Sequence, residues 1–149
     1  MKRALLRENT FRLLYLSDFH EKEELENQMD RYLEKMENLE DIEELQDFHL
    51  EELEYPISNK DKLFIKERIL EIGSHIEEID EKINAVAEKW TTDRMSKIDL
   101  TILRLAYFEL KFDEAIPERV AIDQAVELAK KYGTDDSPKF VNGVLAKLV

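Results

Sequence analysis

A chain of 149 residues with 43% hydrophobic and 38% charged side chains is sized for one domain or two small lobes; it is too apolar to stay disordered and too charged to be a set of membrane spans. No run approaches the roughly 18 apolar residues of a membrane-crossing helix, and no apolar signal segment follows Met1, so a cytoplasmic location is expected. The lack of cysteine removes disulfides, thiolate metal sites and thiol catalysis, and a formal net charge of −13 taken whole argues against a nucleic-acid partner.

Three glycines and three prolines leave few turns, which points to long helices. Leu6, Thr10, Leu13 and Leu14 fall at helical spacing, with Leu5 and Phe11 beside them, and predict an amphipathic helix over residues 2–17. Its opening carries Lys2, Arg3, Arg7 and Arg12 against Glu8 alone. Leu25, Met29, Tyr32, Leu33 and Met36 repeat the pattern. In 37–56 the apolar residues are sparse among carboxylates, and short helical pieces are expected to end at Tyr55-Pro56, because proline cannot continue a helix. Residues 21–54 hold 15 acidic side chains against 3 basic ones, while the rest of the chain is close to balance at 20 against 19. The acidity therefore belongs to one segment, read as a solvated helical face or an insertion, and a basic patch remains open to the N-terminus.

Ser58 or Asn59 can cap the next helix, whose apolar face is Leu63, Ile65, Ile69, Ile72 and Ile76; Gly73 within it suggests a bend or close packing. Ile79, Ile83, Val86 and Trp90 form the following stripe, and Trp90 is read as core. Ser96 caps a helix that is apolar on most sides, from Ile98 to Leu110, and therefore central. Pro117 marks another helix start, and Tyr132-Gly133 closes that helix with a residue suited to a left-handed cap. Ser137 is expected to cap the final helix and Pro138 to open it, with Phe140, Val141, Val144, Leu145 and Leu148 facing inward. No alternating strand pattern occurs, so the expected class is all-α with about seven helices, divided near Pro56 into an N-terminal lobe, 1–56, and a C-terminal lobe, 57–149.

Catalytic signatures are scarce. The glycines at 73, 133 and 143 cannot form a phosphate loop or a dinucleotide fingerprint, and no serine sits in a nucleophile elbow. His20, His49 and His75 form no H-E-x-x-H element. Glu71 and His75 have the four-residue spacing of a two-ligand metal site, but 35 acidic residues produce such pairs by chance. No catalytic residue, metal site or cofactor is expected. Two binding surfaces remain. The basic first helix can neutralise phosphates. The stretch from Tyr132 through Phe140 mixes aromatics, hydrogen-bonding groups and a helix N-terminus, the mixture that reads single-stranded RNA. Each has an ordinary structural counterpart: a basic first turn, and a helix hairpin with Phe140 in the core.

The C-terminal half resembles the NusB transcription antitermination factor family. The resemblance rests on Trp90, Asp93-Arg94, Ile98-Asp99 and the block from Ile102 through Leu110. It continues through Pro117, Val120-Ala121-Ile122, Ala125 to Lys130, Tyr132-Gly133, Ser137 and the block from Lys139 to Leu145; Arg7-Glu8 and Leu14-Tyr15 look like the family's opening helix. The resemblance implies two small helical bundles packed across one another. It also implies a binding protein that holds boxA-type single-stranded RNA together with NusE, a ribosomal small-subunit protein, and so joins other Nus factors on RNA polymerase in ribosomal RNA transcription. Carried over, the RNA surface is Lys2, Arg3, Arg7, Tyr15, Asp136, Lys139 and Phe140, and NusE is expected at Asp93, Arg94 and Glu109. The rival readings are a helical protein–protein adaptor without an RNA role and a carboxylate-based metal hydrolase.

Overall fold

The structure is a computed structural model that describes residues 3–17, 22–35 and 58–149. Seven helices make up the described chain: α1 Arg3–Leu16, α2 Lys22–Lys35, α3 Asn59–Ser74, α4 Ile76–Val86, α5 Lys97–Phe112, α6 Glu118–Tyr132 and α7 Ser137–Leu148. No strand occurs among the described residues, and the all-α expectation holds. Lys2, Met36, Pro56 and the short helical pieces expected in 37–56 lie outside the described residues.

The chain forms two compact units, Met1–Ser74 and His75–Val149. The division therefore falls after Ser74 and not at Pro56. The reason is packing: α3, expected with the C-terminal lobe, is the helix on which both α1 and α2 rest. Ile65, Ile69 and Ile72 are fully buried at i, i+4 and i+7, and α2 turns Leu25, Met29 and Leu33 inward at the same kind of spacing. Each such side chain contributes about 1.5–3 kcal/mol when buried. Lys66 of α3 ties the pair from outside: its Nζ donates to Asp30 at 2.8 Å and lies 3.3 Å from Glu26, and the Asp30 bond holds the ammonium pKa above its ordinary value. Ser58, of the two candidates, caps α3 by accepting the Asp61 N–H at 3.2 Å. In α1 the run Asn9–Leu14 is buried on every side, Arg12 included at 1% exposure.

In the second unit α5 is central, as its apolar pattern predicts, with α4, α6 and α7 packed on it. Ser96 caps α5 by accepting the Asp99 N–H at 3.1 Å. A planar fork joins α5 to α4: Arg104 donates through Nε and Nη2 to the two Asp80 oxygens at 2.8 and 2.7 Å. His75 stands between α3 and α4, so Glu71 and His75 do not share a helix; its ring stacks on Phe112 with centroids 4.4 Å apart, and its Nδ1 lies 3.4 Å from Glu78.

Three local expectations need correction. The α6 terminus at Gly133 is extended, with φ −90° and ψ −168°, and not left-handed. Space requires glycine there, since an added Cβ would lie 2.8 Å from the Ala129 carbonyl oxygen and 2.5 Å from Ser137 Cβ. Ser137 does not cap α7 either. Asp136 occupies the N-cap position, its carbonyl accepting the Phe140 N–H at 3.1 Å, and Ser137 is the first helical residue. The Ser137 hydroxyl turns back and accepts the Thr134 N–H at 3.0 Å, closing the α6–α7 turn. Finally, α4 ends at Val86, four residues before Trp90, which is 56% exposed and not core.

Candidate nucleic-acid interface

The α6–α7 turn starts α7 so that Asp136, Lys139, Phe140, Gly143 and Lys147 fall along one helical side, at offsets of three, four, seven and eleven from the first. Val141, Val144 and Leu145 are buried. Facing that row is the segment 86–90, where α4 ends. Between the two walls lies an open, shallow cleft of about 430 Å3. Three of the sequence-predicted RNA residues, Asp136, Lys139 and Phe140, line it together. Asp136 and Lys139 are exposed and Phe140 is half-buried, so the ring is neither wholly core nor wholly surface.

The opposite wall is held in shape by backbone and side-chain hydrogen bonds. The Trp90 N–H donates to the Ala87 carbonyl at 3.1 Å. Asn84, in the last turns of α4, reaches forward to Thr92: its Oδ1 accepts the Thr92 N–H at 2.7 Å and its Nδ2 donates to Thr92 Oγ1 at 3.2 Å. The N–H groups of Arg94 and Met95 both donate to the Thr91 carbonyl. These bonds turn the chain away from the α4 axis and leave Trp90 outside. Asp93 and Arg94, expected to meet a protein partner, are exposed on the same connection, where Asp93 Oδ1 accepts from the Thr91 hydroxyl. Glu109 is buried at 3% exposure in α5, where its carboxylate cannot meet a partner at the surface; that expectation is corrected.

In the first unit the basic residues separate into two kinds. Arg3 is exposed on the first turn of α1, and Arg7, one turn on, and Tyr15, two turns further, are half-buried. Arg12 is buried and paired with Glu8 at 3.3 Å, so it belongs to the packing of α1 and not to a phosphate surface.

The cleft also contains Lys89 and Lys147, which no sequence signal singles out, with Gly143 and with Trp90, which the apolar stripe assigns to the core. The signal that could have found Trp90 is the polar run after it, Thr91-Thr92-Asp93 before the Ser96 cap, which marks a connection and not a continuing helix.

Residues 5–149 match the sequence profile of the NusB family. The chain belongs to the NusB family. It is 43% identical over 147 residues to the transcription antitermination protein NusB of Agathobacter rectalis, covering 99% of this chain and 98% of that one. It is 40% identical over 149 residues to the protein of the same name from Lachnoclostridium phytofermentans, covering 100% of this chain and 99% of that one. A solved structure of T. maritima NusB superposes with a TM-score of 0.74 at 34% identity, covering 99% of this chain and 90% of that one. The all-helical architecture is thus that of NusB. No helix among the described residues is long and apolar enough to cross a membrane.

Proposed function

We propose that this NusB-family chain is an RNA-binding transcription antitermination factor that holds boxA-type single-stranded RNA together with NusE, and through that complex joins other Nus factors on RNA polymerase in ribosomal RNA transcription. It acts by binding and not by catalysis. The observation that carries the reading is the assembly of Asp136, Lys139 and Phe140 on one cleft wall: a hydrogen-bond acceptor, a cation and an aromatic ring within two turns of one helix. An ammonium meets a phosphate, an aromatic face stacks on an unpaired base, and a carboxylate accepts from a base amino group. Arg3 and Arg7, with Lys2, add sequence-independent phosphate contacts from the first unit, and Tyr15 a base or sugar contact. The names of the relatives support the antitermination role.

NusE is assigned to the α4–α5 connection at Asp93 and Arg94, where both side chains are exposed. Because RNA and NusE each hold the other near the chain, the ternary complex is tighter than either pair. The test is a gel shift of the full chain with boxA-type RNA, with and without NusE. The expected result is salt-sensitive binding that NusE strengthens and that charge reversal at Asp93 and Arg94 weakens only when NusE is present. Binding that is insensitive to salt, or absent with NusE, would replace this reading with the protein–protein adaptor.

A further inference from the structure

We infer that the outward face of α3 is a self-complementary seam on which a second copy of this chain docks, antiparallel, to form a weak symmetric dimer. The first observation is that α3 is apolar on two opposite sides. At about 100° per residue, Ile65, Ile69 and Ile72 lie on one side, and all three are fully buried, with α1 and α2 resting on the helix. A surface helix ordinarily carries polar residues on its other side. α3 carries Leu63 and Phe64 there, 55% and 39% exposed, although the apolar pattern assigns Leu63 to the buried stripe. Arg68 covers part of the Phe64 ring, its Cζ 5.0 Å from the centroid, and Leu63 is left open.

The second observation is charge. Lys60 and Glu67 stand on the same side, three residues before Leu63 and three after Phe64. Both are exposed, and neither is in an ion pair among the described residues. The order Lys60, Leu63, Phe64, Glu67 is symmetric in position and opposite in charge about the midpoint between 63 and 64. Two copies of such a face fit in one register. Set antiparallel about that midpoint, Leu63 meets Phe64 of the second copy and Lys60 meets Glu67 of the second copy, each contact occurring twice about a two-fold axis. Set parallel, Lys60 would face Lys60 and Glu67 would face Glu67, and both pairs repel.

The same pattern decides against other occupants. A nucleic-acid strand would bring its phosphates onto Glu67 beside the apolar pair. The acidic stretch 37–54 of the chain itself has no Lys or Arg to offer Glu67. An apolar peptide would cover Leu63 and Phe64 and leave both charges unmatched. A second copy matches all four side chains at once. One helix against one helix buries less than the roughly 1,200 Å2 of a standard interface, so the dimer is weak and reversible. None of the four residues is assigned above to RNA or to NusE, so the seam stands or falls apart from that reading.

The experiment is sedimentation velocity of the full chain over a concentration series. Between about 1 μM and about 1 mM the chain should pass from monomer to dimer, with a dissociation constant on the order of 100 μM. Lys60→Glu should raise that constant about tenfold, because it sets two carboxylates together at each end of the seam, and Glu67→Lys should do the same with two ammonium groups. The double reversal Lys60→Glu/Glu67→Lys should return the constant to within about threefold of the parent chain, a rescue that no partner other than a second copy would give. Phe64→Asp should keep the chain monomeric up to about 1 mM. The substituted positions are exposed, so all four variants should melt close to the parent chain, which separates a lost seam from a damaged fold. A parent chain that stays monomeric up to about 1 mM overturns the seam. So does a dimer that Phe64→Asp leaves intact, one indifferent to both single reversals, or one that the double reversal fails to restore.

Discussion

Two residues exchange the usual roles of glycine and non-glycine. Gly133 has an unremarkable φ of −90° but sits where any Cβ would press on the Ala129 carbonyl and Ser137. Gly133→Ala should therefore destabilise the chain by about 1–3 kcal/mol, the usual cost of forced overpacking, read as a lower midpoint in chemical denaturation. Glu88 is the reverse: a φ of 51° places it in the left-handed region, which costs a side-chain-bearing residue about 1–2 kcal/mol. Glu88→Gly relieves that strain and gives up only an exposed ion pair with Lys147, worth about 0–1 kcal/mol. A modestly raised denaturation midpoint is expected, and a lowered one would show that the ion pair matters more than the backbone. The sequence predicts a left-handed cap at Gly133, but a residue type does not disclose which of glycine's two advantages, freedom of φ or absence of a Cβ, is in use.

At the scale of elements, the regular parts were legible and the junctions were not. Apolar spacing locates α1, α3 and α5 within a residue or two; the Ser96 cap is readable because Ile98 and Leu100 follow it closely, whereas the α3 cap is narrowed only to Ser58 or Asn59, and the structure selects Ser58. At Asp136-Ser137, as at Ser58-Asn59, two polar residues in a row leave the choice of cap to tertiary geometry, and there the Ser137 hydroxyl serves the preceding turn. Trp90, predicted as core, is exposed for a related reason. The stripe Ile79, Ile83, Val86 continues at helical period to position 90, and periodicity alone cannot show that Asn84 has already turned the chain. The Arg104–Asp80 fork, 24 residues apart in sequence, was not legible at all. It is half-sheltered, at 21% and 24% exposure, and bidentate. Asp80→Ala removes two charge-assisted bonds and should lower stability by about 1.5–3 kcal/mol. Arg104→Lys should lose much of the same, because an ammonium cannot reproduce the fork. Thermal melts of the two variants, compared with the double replacement, measure the coupling.

On the scale of the whole molecule, net charge is a poor guide to the partner. The 15 carboxylates of residues 21–54 account for nearly all of the −13, and the remaining residues are close to neutral. Charges in solution are screened over roughly 10 Å at 0.1 M salt, so an anionic polymer responds to the local surface and not to the sum. The N-terminal cations illustrate this, and the structure separates them in a way that sequence could not. Arg3 is exposed, whereas Arg12, counted in the same basic patch, is 1% exposed and paired with Glu8. A cation that neutralises a phosphate releases counterions, which contributes roughly 0.7 to the slope of log affinity against log salt for a single strand. Arg3→Ala should thus weaken boxA-type and scrambled RNA alike and flatten the slope by about 0.7. Arg12→Ala should leave the slope as it was and lower the melting temperature instead, because it strips a buried side chain from α1 and removes the partner of Glu8. Measuring both variants over a salt series decides the matter. Equal slopes for Arg3→Ala and the parent chain would place the first turn of α1 outside the RNA path and leave the cleft of the second unit to carry binding.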